Sequence, residues 1–221
     1  PETREMVIDQ LKRIVEIQQP DGKPDALQQI EHGLLSVVDG YRALGRFYRG
    51  IIEPTLRQYV LLGDPVNLTD NIDFNSIHHN GNIPAVGLPG SADDRWVFTE
   101  ENPGRALEAA VALAAANRVM KGYNDTLARQ SLQIAKEVWQ TYSDKYPARS
   151  ISLATELLIT TGEHQYESFL ISQQQNIVLQ FSRIGWVVSR ALPLIKDADF
   201  KAAMTTAAKK FYATIEADGH K

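Results

Sequence analysis

The chain has 221 residues, 43% of them hydrophobic and 23% charged, and 23 Lys plus Arg against 27 Asp plus Glu leave a net charge of −4. That composition is of an ordinary globular protein, long enough to bury roughly 70% of its unfolded surface without a disulfide or metal staple. The acidic balance and the absence of any Lys/Arg cluster argue against a phosphate-neutralising nucleic-acid surface, and the lack of cysteine removes disulfides, thiolate metal sites and cysteine nucleophiles while leaving the compartment open. The uncharged stretch Ile171 to Ser182 contains four Gln and an Asn and falls short of the roughly 20 residues that span a bilayer, so no transmembrane segment is expected.

In chain order, Met6 to Gln18 carries apolar residues at helical spacing and ends at Pro20-Asp21-Gly22. A second helix is expected from Asp25, with Gln28 as a capping-box partner, to Gly45, and the two would form a helical hairpin. Phe47 to Leu62 reads as two short strands, around Tyr48 to Ile52 and Tyr59 to Leu62, turning near Glu53-Pro54; a broken helix is the alternative. Five of the ten prolines (Pro54, Pro65, Pro84, Pro89 and Pro103) fall within 50 residues, together with Gly63, Gly81, Gly87 and Gly90, which makes about 46–103 an irregular insertion.

Asn102-Pro103 opens a helix running from Gly104 to Lys121 and closed by Gly122. Its seven Ala, with Leu107, Val111, Leu113, Val119 and Met120, leave no polar face, so it should be buried on all sides. Asp125 caps the next, whose single apolar stripe includes Leu127, Ile134, Val138 and Trp139 and whose other face is polar. A buried helix followed by an amphipathic one is the pattern of stacked hairpins with one member inside and one outside. Further helices are expected over Ser150–Thr161, Glu163–Gln174, Val178–Ala191 and Asp199–Ala217, with Trp139 and Trp186 in the core. The fold class is therefore all-α, in one domain, with no fixed-period repeat.

The chain lacks the phosphate-binding glycine loops, the His-Glu-x-x-His zinc motif and the Gly-x-Ser-x-Gly nucleophile motif. His78 and His79 are the only dense imidazole site; two adjacent histidines are too few ligands for a metal and read as exposed or substrate-contacting loop residues. Asp94, Arg95 and Trp96 place charges beside an aromatic ring. The functional reading is an indole that stacks on a sugar with polar groups for its hydroxyls; the structural one is an Arg–Asp pair with the Trp packed beneath the loop. Glu100, Glu101, Glu156 and Glu163 are candidate acids, none with a specific catalytic signal.

The run Asp94-Arg95-Trp96-Val97-Phe98-Thr99-Glu100-Glu101-Asn102-Pro103-Gly104, leading into the Ala-rich stretch Leu107 to Val119, resembles glycoside hydrolase family 9, in which an extended segment ends in Asn-Pro-Gly ahead of an inner helix of a twelve-helix (α/α)6 barrel. Asp25 to Leu35, with its Ile-x-x-Gly-Leu core, and Ala154 to Gly162, closing on Thr-Gly, are similar to two further segments of that family. The resemblance implies a cellulase-like β-glucanase whose inverting mechanism uses an Asp to activate water and a Glu to protonate the leaving oxygen. The Asp-Ala-Gly-Asp motif that supplies the family's base is missing, as is a segment for its acid. The chain is thus expected to be the central part of a larger catalytic domain, a partial barrel with both catalytic carboxylates outside it.

By the same resemblance the protein is secreted, periplasmic or at the cell surface, binds a polysaccharide or oligosaccharide, and has the remainder of its own catalytic domain as a partner. No cofactor is expected; some relatives carry calcium, but no Asp-x-Asp-x-Asp-Gly loop occurs here. The contrasting expectation is a non-catalytic helical module that binds a protein on a concave face. Length bears on the choice. At about 35 to 45 residues per hairpin, the helical part holds about four hairpins where a closed ring needs six.

Overall fold

A computed structural model describes residues 5–9, 14–19, 22–52, 64–68, 95–99 and 101–219. Its contacts divide into two compact units, Pro1–Val38 with Pro103–Lys221, and Asp39–Asn102. Among the described residues there are eight helices and five short strands, so the chain is mostly helical.

The first unit begins with two antiparallel strands, β1 (Glu5–Asp9) and β2 (Ile14–Gln19), with Val7 opposite Glu16 and Asp9 opposite Ile14. This corrects the helix expected over Met6–Gln18. Val7, Ile8, Ile14, Val15 and Ile17 satisfy a helical period, yet they are β-branched, and that branching suits a pleated surface better than a helix turn. The expected hairpin of two helices at this end therefore does not form. Helix α1 (Asp25–Leu44) follows, begun by the Leu27 and Gln28 N–H groups donating to the Pro24 carbonyl. Gly45, at φ +68°, donates its N–H to the Tyr41 carbonyl and stops the helix in the left-handed conformation that glycine adopts without penalty.

The second unit contains the end of α1 and a three-stranded antiparallel sheet of β3 (Tyr48–Ile52), β4 (Asp64–Leu68) and β5 (Arg95–Thr99), with β5 in the middle. The strand expected around Tyr48 to Ile52 forms, whereas Tyr59 to Leu62 lies outside the described residues. The Tyr41 and Phe47 rings meet at a tilt of 51° with centroids 4.8 Å apart, and a methyl group on Gly40 would meet the Tyr48 ring at 2.5 Å, so that helical position admits only glycine without rearrangement.

Back in the first unit, α2 (Pro103–Met120) starts with Pro103 in its first turn, where a missing N–H costs nothing. Ala106, Ala110, Ala114 and Ala116 are buried along with Leu107, Leu113 and Met120, but Glu108, Ala112 and Val119 are exposed, which corrects the burial on all sides expected of this helix: its apolar residues continue onto a face that no other described element covers fully. Its hairpin partner α3 (Asp125–Tyr142) buries Leu127, Ile134, Val138 and Trp139 and turns Arg129, Gln133 and Glu137 outward or half-outward. The cap differs from expectation. Asn124, not Asp125, accepts the Leu127 N–H (3.0 Å), while Asp125 accepts the N–H of Gly122 across the turn (2.9 Å).

Helix α4 (Pro147–Thr161) packs against both members of that hairpin and buries a continuous run from Leu153 to Leu158, closing at Gly162 with φ +69°. The chain then breaks into α5 (His164–Ser172), α6 (Gln174–Leu179) and α7 (Phe181–Ser189) rather than the two helices expected, because Gln173 and Gln180 leave helical geometry at ψ near 9° and 21°. The last helix, α8 (Ala198–Gly219), buries Phe200, Met204 and Ala207. Around Trp139 the core is aromatic: Tyr166 and Phe169 meet its indole edge-on at 5.2 and 4.7 Å.

Candidate functional site

Of the five residues singled out from the sequence, Arg95 and Trp96 fall on the central strand β5, where Trp96 is opposite Ile52 on β3 and Asn67 on β4, and Arg95 is opposite Leu68. His78, His79 and Asp94 lie outside the described residues.

The acids can be followed further. Glu156, on α4, is only 2% exposed and is held from two sides. Arg118, at the end of α2, donates to its Oε2 at 2.6 Å and also reaches the Thr160 hydroxyl, while Arg190, at the end of α7, donates to its Oε1. Three helices are tied at one carboxylate. Both arginines stand at helix C-termini, where the peptide dipoles favour a cation. A carboxylate whose two oxygens are each turned to a different guanidinium group anchors the helices that carry them.

Glu167 is the second buried acid, 7% exposed. It accepts the Lys196 backbone N–H at 2.6 Å and pairs with His164 Nδ1 at 3.0 Å. The Lys196 amide, followed by His164, holds its pKa below the usual carboxylate range. Glu163 is more exposed; its hydrogen bond from Lys136 at 2.5 Å likewise lowers its pKa against the opposing effect of burial. Burial pushes the Tyr166 phenol up to about 12, with the charge of Glu163 adding to it. Glu101 is exposed and precedes the first turn of α2, and Glu100 lies outside the described residues.

A groove of about 550 Å³ runs between α1 and α2, lined by Ile30, Leu34 and Val37 on one side and Ala112, Ala116 and Val119 on the other. Among the described residues Gln29 is the only polar side chain in its wall, so the groove offers contact area without acid–base chemistry. Among the described residues no group of three or more His, Asp or Glu is arranged to hold a metal ion, and no helix is long and apolar enough to cross a membrane.

Sequence reasoning missed the Glu156 anchor, although a Glu on an otherwise apolar helix face is a visible sign that a cation must meet it. It also placed Trp186 in the core, whereas Trp186 is 67% exposed. The signal was available: at about 100° per residue, Ser182, Arg183, Ser189 and Arg190 surround Trp186 on one arc of α7, and the buried residues Gly185, Val187 and Val188 occupy the rest.

No protein-family model, curated protein or solved structure matches the chain.

Proposed function

We propose that the chain is the central part of a glycoside hydrolase acting on β-glucan-type polysaccharide, a portion of an (α/α)6 barrel whose catalytic carboxylates lie outside these 221 residues. The observation that carries this reading is the α2–α3 hairpin: an Ala-rich helix that buries eight of its residues beside an amphipathic helix with a solvent face, the inner-and-outer pairing from which such barrels are built. The family resemblance of Asp94 to Gly104 supports it, since that run continues from an extended strand, β5, into the same buried helix.

In an inverting hydrolase one carboxylic acid protonates the leaving oxygen while a carboxylate on the opposite face activates water. Glu156 and Glu167, both buried and both occupied by cationic or N–H donors, hold helices together and leave that work to acids elsewhere in the protein. Under this reading the segment around Trp96 contributes to substrate contact, and the protein works outside the cytoplasm, where polysaccharide is found.

The apolar groove between α1 and α2 favours a second reading, a non-catalytic helical module that binds a protein partner. Reducing-sugar release from soluble cellulose and mixed-linkage glucan separates the two. The 221-residue chain should release none, and a polypeptide extended on both sides with its encoded neighbours should be active. Hydrolysis by the isolated chain, abolished by changing one of its own acids, would overturn the assignment of the catalytic pair to flanking sequence; an inactive extended polypeptide would favour the module.

A further inference from the structure

The largest exposed aromatic side chain among the described residues is Trp186, in the middle of α7 and 67% exposed. Burying so large an apolar surface is favourable, and the same helix buries Val187 and Val188, so an indole facing water needs an explanation. Its surroundings are specific. Arg183 and Arg190 stand three residues before and four after it, the spacing that makes helix neighbours, and Ser182 and Ser189 lie on the same arc. Arg183 makes no side-chain hydrogen bond or ion pair among the described residues. Arg190 spends one guanidinium nitrogen on Glu156 and makes no other side-chain hydrogen bond among them, so the buried carboxylate holds this arginine while its remaining donors stay open. On a chain of net charge −4, this face is locally cationic.

We infer that the exposed face of α7 binds an acidic sugar residue, the pyranose ring lying on the Trp186 indole and its carboxylate meeting the forks of Arg183 and Arg190. An indole offers a flat apolar surface to the axial C–H face of a sugar, and a guanidinium donates two parallel hydrogen bonds to a carboxylate, which an ammonium cannot do. Ser182 supplies a hydroxyl for the sugar's own, whereas the Ser189 hydroxyl is already donated to the Gly185 carbonyl at 2.6 Å. The charge complementarity selects an acidic glycan over a neutral one. The inference rests on the proposed glycan-degrading role and adds to it a contact on α7, for chains that carry uronic acid.

The test is calorimetric titration of the 221-residue chain with an oligoglucuronate and, separately, with a neutral cello-oligosaccharide of equal length. The acidic ligand should bind at least tenfold more tightly and lose affinity as salt rises. Trp186→Ala should weaken it about tenfold, the cost of one interfacial aromatic anchor; Arg183→Ala should weaken it and flatten the salt dependence, with Arg183→Lys restoring only part. Both substituted positions are exposed, and circular dichroism would establish that the variants remain folded. Equal affinity for acidic and neutral ligands, no binding of the oligoglucuronate, or binding indifferent to Trp186→Ala would each overturn the inference. Activity of the extended polypeptide on neutral glucan, without any oligoglucuronate binding, would leave the proposed function standing and remove only this site.

Discussion

Glu156 has more invested in it than any other side chain described. Its two oxygens each meet a different arginine, and each arginine ends a different helix, so removing the buried carboxylate leaves both Arg118 and Arg190 without the counter-charge they share. Glu156→Ala should therefore cost about 2–3 kcal/mol, read as a lower urea midpoint with an unchanged slope. Arg190→Ala, whose side chain is 43% exposed, should cost no more than about 1 kcal/mol. Equal losses from the two would show that the anchor is not centred on the carboxylate.

Two further residues contribute to the pH dependence of stability from opposite ends. Glu167 has a depressed pKa in the folded state, so the folded chain binds fewer protons than the unfolded one in acid. Its contribution is present above the ordinary value of about 4.5 and is lost as the pH falls below it. Tyr166 works in the opposite direction: with a phenol raised from 10.0 to about 12, its contribution is complete below pH 10 and disappears as the pH rises through 12. Thermal melting between about pH 2 and 12 should show a shallower acid limb in Glu167→Gln and a shallower alkaline limb in Tyr166→Phe.

At the scale of elements, turns and caps do more than the helix interiors to determine where the chain bends. Asn124 serves two helices at once, accepting the Leu127 N–H to begin α3 and donating to Glu31 of α1 at 2.7 Å. Asn124→Ala should destabilise by about 1 kcal/mol or somewhat more, since a cap alone is worth that much. Asn124→Asp keeps the cap acceptor but sets a carboxylate against Glu31, so it should recover less than the cap's full value, measured in the same denaturation experiment.

Much of this level could be read from the sequence. Gly45, Gly122 and Gly162 all end helices in the left-handed conformation, as their positions after apolar-periodic stretches indicated. Where the reading failed, one residue type satisfied two patterns. The β-branched residues between Val7 and Ile17 fit a helix stripe and a strand alike, and pairing across the hairpin decided between them. Asn124 and Asp125 are both good caps, and local sequence does not say which will take the helix start and which the turn. The breaks at Gln173 and Gln180 were invisible because Gln is a good helix former; the short helices on either side pack on α4 and α8, which local sequence does not announce.

For the molecule as a whole, composition was a sound guide to class and a poor guide to site. The mostly helical architecture followed from periodicity alone, whereas the Ala-rich α2, read as buried on all sides, leaves Glu108, Ala112 and Val119 exposed. The ionic anchor at Glu156 did not, because its arginines are 38 and 34 residues away in sequence and meet it only once α2, α4 and α7 are packed. The expected glycan contacts were drawn from the Gly- and Pro-rich segment, where Arg95 and Trp96 occupy a strand, while α7, a helix whose tryptophan was read as core, carries Trp186 exposed.

That misplaced tryptophan has an optical consequence. Trp139 is enclosed by Tyr166 and Phe169, while Trp186 stands in water, so two of the protein's three indoles occupy opposite environments. The emission lost on Trp186→Phe should be red-shifted and quenched by acrylamide, and that lost on Trp139→Phe should be blue-shifted and protected until the fold is lost. The molecule thus carries its own pair of probes: one colour follows the integrity of the core, and the other follows whatever settles on the surface of α7, with no dye attached.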